Sequence, residues 1–160
     1  MSKYNITERK DISTTYQSTI SPDVLDRLHT QILDKLLIHK KFMDPSYTAK
    51  ELAKDLNTNT RYVSAVCNLK FHTNYSMLVN KYRIDEAMSI LVDRRYLGLT
   101  MEEVAGKVGF TNRQSFYGAF YRMKGCTPRD YKIGYLADHP ELKAIWDKTK
   151  KKRTKSNEGK

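Results

Sequence analysis

The segment TMEEVAGKVGFTNRQSFYGAF, residues 100–120, decides the fold. Thr100 followed three residues later by Glu103 is a capping-box pattern, and it opens a short helix whose apolar face carries Val104, Ala105 and Val108. A helix-turn-helix needs a small residue where its two helices cross, then a residue that accepts a left-handed turn. Beyond that turn, an apolar residue plugs the second helix onto the first. Ala105, Gly109 and Phe116 stand at those places. Upstream, TAKELAKDLNTNTRYVSAVC (residues 48–67) repeats the pattern. Thr48, Glu51, Leu52, Ala53 and Leu56 match Thr100, Glu103, Val104, Ala105 and Val108 at an offset of 52. Past the turn the offset is 53, pairing Val63, Val66 and Cys67 with Phe116, Ala119 and Phe120. This is a duplicated unit with one residue added in the second turn, and Ala53, Asn57 and Val63 meet the same demands in the first copy.

Between the repeats, Asn74 is placed to cap a helix over about 75–93, with Leu78, Tyr82, Ala87, Ile90 and Leu91 at helical spacing. At 1.5 Å per residue this connector is roughly 25–28 Å long. Ahead of the repeats, Ser21-Pro22 is a helix start, and Leu25, Leu28, Ile32 and Leu36, widened by Leu33 and Leu37, predict an amphipathic helix over about 22–40. That face is expected to pack on the following domain. Residues 1–20, rich in Ser and Thr, read as a mobile arm or at most a short strand. After the second repeat, Thr127-Pro128 restarts a helix through Tyr131, and residues 138–146 support another bearing Leu142, Ile145 and Trp146. The tail from Lys148 reads as disordered. The chain is therefore expected to be all-α: two helix-turn-helix subdomains joined by a long connecting helix, with an extra N-terminal amphipathic helix and a basic C-terminal tail. The expected divisions are 1–21 (arm), 22–43 (N-terminal helix), 44–73 (first helix-turn-helix), 74–97 (connector), 98–135 (second helix-turn-helix) and 136–160 (C-terminal helix and tail).

Charge and motif content narrow the function. The 29 basic and 18 acidic residues give +11 over 160 residues, which favours a polyanionic partner, nucleic acid first. The tail from Lys148 carries +6 of that, and a tail alone binds polyanions without sequence preference. No apolar run approaches the ~20 residues of a membrane span, and the N-terminus has no apolar signal core. Cys67 and Cys126 lie too far apart in sequence for a zinc pattern and read as free thiols. His29, His39, His72 and His139 share no ligand spacing, and the acidic residues form no acid–base pair. No nucleophile elbow, phosphate loop or dinucleotide motif occurs. No enzyme, metal or cofactor is expected.

Val104-Ala105, Val108-Gly109-Phe110, Phe116, Ala119-Phe120, Gly125, Pro128 and Tyr131 together resemble the AraC/XylS family of transcription regulators. The stretch Tyr82-Arg83-Ile84-Asp85-Glu86-Ala87 is similar to that family's connecting helix, and the likeness covers about residues 48–132. It implies seven helices and two recognition helices entering successive major grooves on one face of duplex DNA. A turn of B-DNA is about 34 Å, comparable to the connector. On the first recognition helix, over about 60–69, base readout is expected from Arg61, Ser64, Ala65 and Asn68. On the second, over about 113–123, it is expected from Arg113, Gln114, Tyr117 and Gly118. Arg suits guanine and Gln suits adenine. Thr60, Lys70, Asn112, Tyr121, Arg122 and Lys124 are expected to contact phosphates, which position the protein without specifying sequence. Many family members carry Arg where this chain has Ala65 and Gly118, Gly where it has His72, and an aromatic where it has Lys124.

The expected function is sequence-specific DNA binding with transcriptional control, activation by analogy with the family, in the cytoplasm at the nucleoid. With about 45 residues ahead of the repeats, no β-rich sensor domain and no small-molecule effector are expected, and the chain would act as a monomer with RNA polymerase as a further partner. The alternatives are a helical interaction module that contacts RNA polymerase or another regulator with little DNA readout, and nonspecific nucleoid binding through the tail.

Overall fold

The computed structural model describes residues 20–159, so the arm expected over 1–21 lies almost wholly outside the described residues. Eight α-helices and no strand occur among them: α1 (Pro22–Leu33), α2 (Ala49–Asp55), α3 (Thr60–Lys70), α4 (Tyr75–Val92), α5 (Met101–Val108), α6 (Arg113–Lys124), α7 (Pro128–Ala137) and α8 (Pro140–Glu158). None is long and apolar enough to cross a membrane. The described residues divide into two compact units, one of residues 20–41 with 46–79, the other of 42–45 with 80–159. Helix α4 begins in the first and runs on into the second.

In the first unit, Ser21 caps α1 by accepting from the Val24 amide at 3.4 Å, with Pro22 in the first turn. Leu28, Ile32 and Leu36 are buried, and α1 packs on α3, where Lys70 pairs with Asp26. Leu37, expected to widen the apolar stripe, is exposed together with Ile38. The reason is local: over Asp34–Ile38 the backbone loosens into a π-type turn, which rotates those side chains off the stripe. Leu52, Val63 and Val66 complete this core beside Cys67, whose thiol burial pushes up to about 11. Helix α3 ends through His72, which holds the left-handed φ of 55°. A glycine takes that conformation without a Cβ penalty, so His72→Gly is expected to raise stability by about 1 kcal/mol, read as a higher urea midpoint at unchanged m.

The second unit is built around Ile84, Ala87 and Leu91 of α4, Val104, Ala105 and Val108 of α5, and Phe116, Ala119 and Phe120 of α6. The Phe116 ring, fully buried, sits 5.4 Å from Phe110 and 5.9 Å from Phe120 between centroids. Arg83 of α4 ties down the 42–44 segment: its Nε donates to the Phe42 carbonyl at 2.7 Å and an Nη to the Asp44 carbonyl at 3.2 Å. Its guanidinium also lies 5.6 Å above the Phe110 ring.

The C-terminal segment differs from expectation. In place of a disordered tail from Lys148, α8 continues to Glu158. Its inner stripe starts with Leu142, Ile145 and Trp146 and continues in polar residues at helical spacing. Thr149 lies 3.6 Å from where a Cβ on Gly98 would sit, and Arg153 reaches Glu103 at 2.8 Å. Lys150 covers the Trp146 ring at 3.7 Å. Helical winding here is held by contacts made with side chains that composition alone marks as solvated.

Candidate nucleic-acid interface

The two repeats close the start of the turn with the same pair of backbone hydrogen bonds. In the first unit the Thr58 amide donates to the Ala53 carbonyl at 2.9 Å, and the Asn57 amide to Lys54 at 3.1 Å. In the second, Phe110 donates to Ala105 at 2.9 Å and Gly109 to Gly106 at 3.2 Å. All four residues of each set correspond at the offset of 52. The left-handed residue is Asn57 (φ 51°) in one copy and Gly109 (φ 104°) in the other. Ala53 and Ala105 are buried at the crossings, with Val63 and Phe116 fully buried as plugs.

Helix starts repeat as well. Thr100 and Glu103 form the complete reciprocal box, with the Glu103 amide donating to Thr100 Oγ1 at 3.1 Å and the Thr100 amide to Glu103 Oε2 at 2.6 Å. The Arg153 guanidinium, with the Thr100 amide, holds the Glu103 carboxyl down at about 2. In the first copy, Thr48 Oγ1 accepts from the Glu51 amide at 3.4 Å, while the Thr48 amide is turned toward the Ser46 carbonyl. Each second helix is capped by an asparagine: Asn59 accepts from the Tyr62 amide at 3.1 Å, and Asn112 from the Ser115 amide at 2.8 Å. Each cap satisfies one of the amides left without a partner in the first turns of α3 and α6.

On α3, Thr60, Arg61, Ser64 and Asn68 are exposed and Ala65 is half-buried. On α6, Arg113, Gln114, Tyr121, Arg122 and Lys124 are exposed, while Tyr117 and Gly118 are half-buried. Each unit thus gathers its expected readers on one outward helix face, opposite the buried plug. Several already have partners. Arg113 stacks over the Tyr117 ring at 4.7 Å, donates to its hydroxyl at 3.3 Å and lies 3.5 Å from Glu102. Lys70 is paired with Asp26, and Lys124 stands 3.8 Å from Asp85. The Asn112 Oδ1 is committed to its cap, while its Nδ2 stands 3.5 Å from Thr111 Oγ1. Among the described residues no group of His, Cys, Asp and Glu is arranged to hold a metal ion.

Two features of the second unit escaped the sequence reading. Arg83 stood out there only for its place in the connector, yet it is an anchor for the 42–44 segment. Lys132 is buried, 1% exposed, and donates to the Leu97 carbonyl at 2.8 Å. Its signal was its register: Pro128, Lys132 and Leu136 follow one another at four-residue intervals on the inner face of α7.

Residues 52–133 match a protein family described as a helix-turn-helix domain. A curated relative, the uncharacterized HTH-type transcriptional regulator YtdP of Bacillus subtilis, is 28% identical over 109 residues, covering 67% of this chain. The chain spans 14% of that relative's length. Among solved structures, the C-terminal domain of AraT, a response regulator from Geobacillus stearothermophilus, superposes with a TM-score of 0.58 at 24% identity, covering 71% of this chain and 86% of that one. The DNA-binding domain of AdpA, a global transcriptional factor solved in complex with a target DNA, gives 0.59 at 21% identity, covering 71% and 96%. At these identities the structural likenesses speak for the fold.

Proposed function

The chain belongs to the AraC-type helix-turn-helix family of DNA-binding transcription regulators, a family not of enzymes, and we propose that it reads duplex DNA with both of its units. In this reading Arg61, Ser64, Ala65 and Asn68 face the bases of one major groove, and Arg113, Gln114, Tyr117 and Gly118 those of the next. Thr60, Asn112, Tyr121 and Arg122 contact phosphates, and Lys70 and Lys124 do so by exchanging Asp26 and Asp85 for the DNA backbone. One chain carries two readers, so a monomer suffices on an asymmetric site. Activation, with RNA polymerase as partner, is the regulatory sense we propose.

The observation that carries the reading is the duplicated turn, each copy presenting an exposed polar helix face beside an asparagine-capped amide end. Selection of bound fragments from random DNA, at fixed near-physiological salt, tests it. The expected product is an asymmetric site with two half-sites about one helical turn apart. Arg61→Ala and Gln114→Ala are each expected to cost about 1–3 kcal/mol and to relax preference at one base position. Enrichment that stays the same in both variants would remove these residues as base readers. A second reading, contact with RNA polymerase or another regulator with little base readout, draws on Ala65 and Gly118: two small, half-buried residues sit where long cations are common. It is the reading left standing if no sequence is enriched.

A further inference from the structure

A cleft of about 310 Å³ opens in the second unit between the start of α5, the first turns of α6 and α7, and the inner face of α8. Its lining holds five cations, Arg113, Arg129, Lys132, Lys150 and Arg153, against the single carboxylate of Glu102. Glu103 lies behind Arg153 and is engaged by it. Lys132 and Lys150 both stand over the Trp146 ring, at 5.2 and 3.7 Å, so two ammonium groups share one indole. Lys132 has a carbonyl acceptor, Leu97, and no carboxylate partner among the described residues. Arg129 is exposed and makes no ion pair or hydrogen bond among the described residues. Like charges held this close inside a cleft repel one another, and the fold tolerates that arrangement at a cost an anion would remove. Guanidinium groups on three different helices offer forked donors that suit the oxygens of a phosphate.

We propose that this cleft is a phosphate-binding site, taking one phosphate group between Arg129, Lys150 and Arg153, with Arg113 at its rim. Burial first, and then the neighbouring Lys150 and Arg153 charges, push the Lys132 ammonium down to about 8. The phosphate has two possible sources. Arg113 and Tyr117 belong both to the cleft and to the outward part of α6, so a phosphodiester of DNA lying on α6 is within the chemistry of the site. A free phosphorylated small molecule presents the same oxygens. The site does not depend on base readout by either recognition helix.

Trp146 is the chain's one tryptophan, so its emission, excited away from tyrosine, reports on the cleft alone. The full chain is titrated with inorganic phosphate at pH 7, with chloride at matched ionic strength as the control. A saturable, phosphate-specific change with a millimolar-range midpoint is expected, weakened at least tenfold by Arg129→Ala and by Lys150→Ala. Arg129→Ala removes no hydrogen bond or ion pair among the described residues, so its result stands even if Lys150→Ala alters the baseline. A response that merely follows ionic strength, or survives both substitutions, overturns the proposal. Repeating the titration on the DNA-saturated chain separates the sources. If DNA supplies the phosphate, the duplex abolishes the response and Arg129→Ala lowers the salt slope of duplex binding by about 0.9. If a small molecule supplies it, the response persists on DNA and Arg129→Ala leaves duplex affinity unchanged.

Discussion

Gly109→Ala is expected to destabilise the second helix-turn-helix unit by about 4 kcal/mol, most of the stability of a domain at the low end of the ordinary range of about 5–15 kcal/mol. Two penalties combine. At φ 104° an L side chain is strained wherever it is put. In addition, a Cβ here would stand 2.7 Å from the Met43 carbonyl oxygen, 2.9 Å from the Met43 carbonyl carbon and 2.9 Å from Arg83 Nε. Two of those atoms are backbone. The third cannot swing aside without giving up its bond to the Phe42 carbonyl. The corresponding Asn57 holds φ 51°, closer to the ordinary left-handed well, so Asn57→Gly is the contrasting control and is expected to change stability little. Urea unfolding followed by circular dichroism decides it: a loss under 1 kcal/mol for Gly109→Ala would mean the 42–44 segment can yield.

The two turns were legible in the sequence because each rests on residues with few substitutes. A small residue at the crossing, a left-handed position and an apolar plug occupy fixed spacings, and finding them twice at nearly one offset removes the ambiguity of a single match. The helix faces followed from the same register, since fixing Val63 or Phe116 inward fixes Arg61 or Gln114 outward. What the sequence concealed was structure held by polar groups. Lys150, Arg153 and their neighbours read as a solvated charge run, because composition does not show that Thr149 meets Gly98 or that Arg153 meets Glu103. Those contacts join residues 51 and 50 apart and have no local signature. Arg83 was similarly opaque: its acceptors are main-chain carbonyls, which any residue supplies. The exposed Leu37 reversed an expectation for a further reason, since periodicity assumes uniform winding and the π-type turn breaks it.

The stability of the chain is expected to rise by up to about 3 kcal/mol between pH 8 and pH 10.5 through Lys132 alone. Burial drives its pKa down first, and the Lys150 and Arg153 charges of α8 add to that; the same cleft brings in Arg129 from its own helix, Arg113 from α6 and the opposing Glu102 from α5. The native group therefore releases its proton near pH 8, while in the unfolded chain it does so near 10.5. Between those values the unfolded state binds more protons than the native one, so the free energy of unfolding climbs with pH. The gain is complete above 10.5 and gone below about 8, where both states carry the charge. Tyrosines titrate in the same range, so the informative quantity is the difference between the native chain and Lys132→Met. That variant keeps the side chain's length, drops the charge and leaves the Leu97 carbonyl without its donor, so its stability near pH 7 is expected to stay within about 2 kcal/mol of the parent. Parallel curves for the two proteins from pH 8 to 10.5 would show that Lys132 releases its proton where an exposed lysine does. Adding phosphate supplies the last discrimination. An anion in the cleft favours the ammonium, so the rise is expected to move to higher pH in the native chain, while in Lys132→Met phosphate shifts the curve without changing its slope over this range.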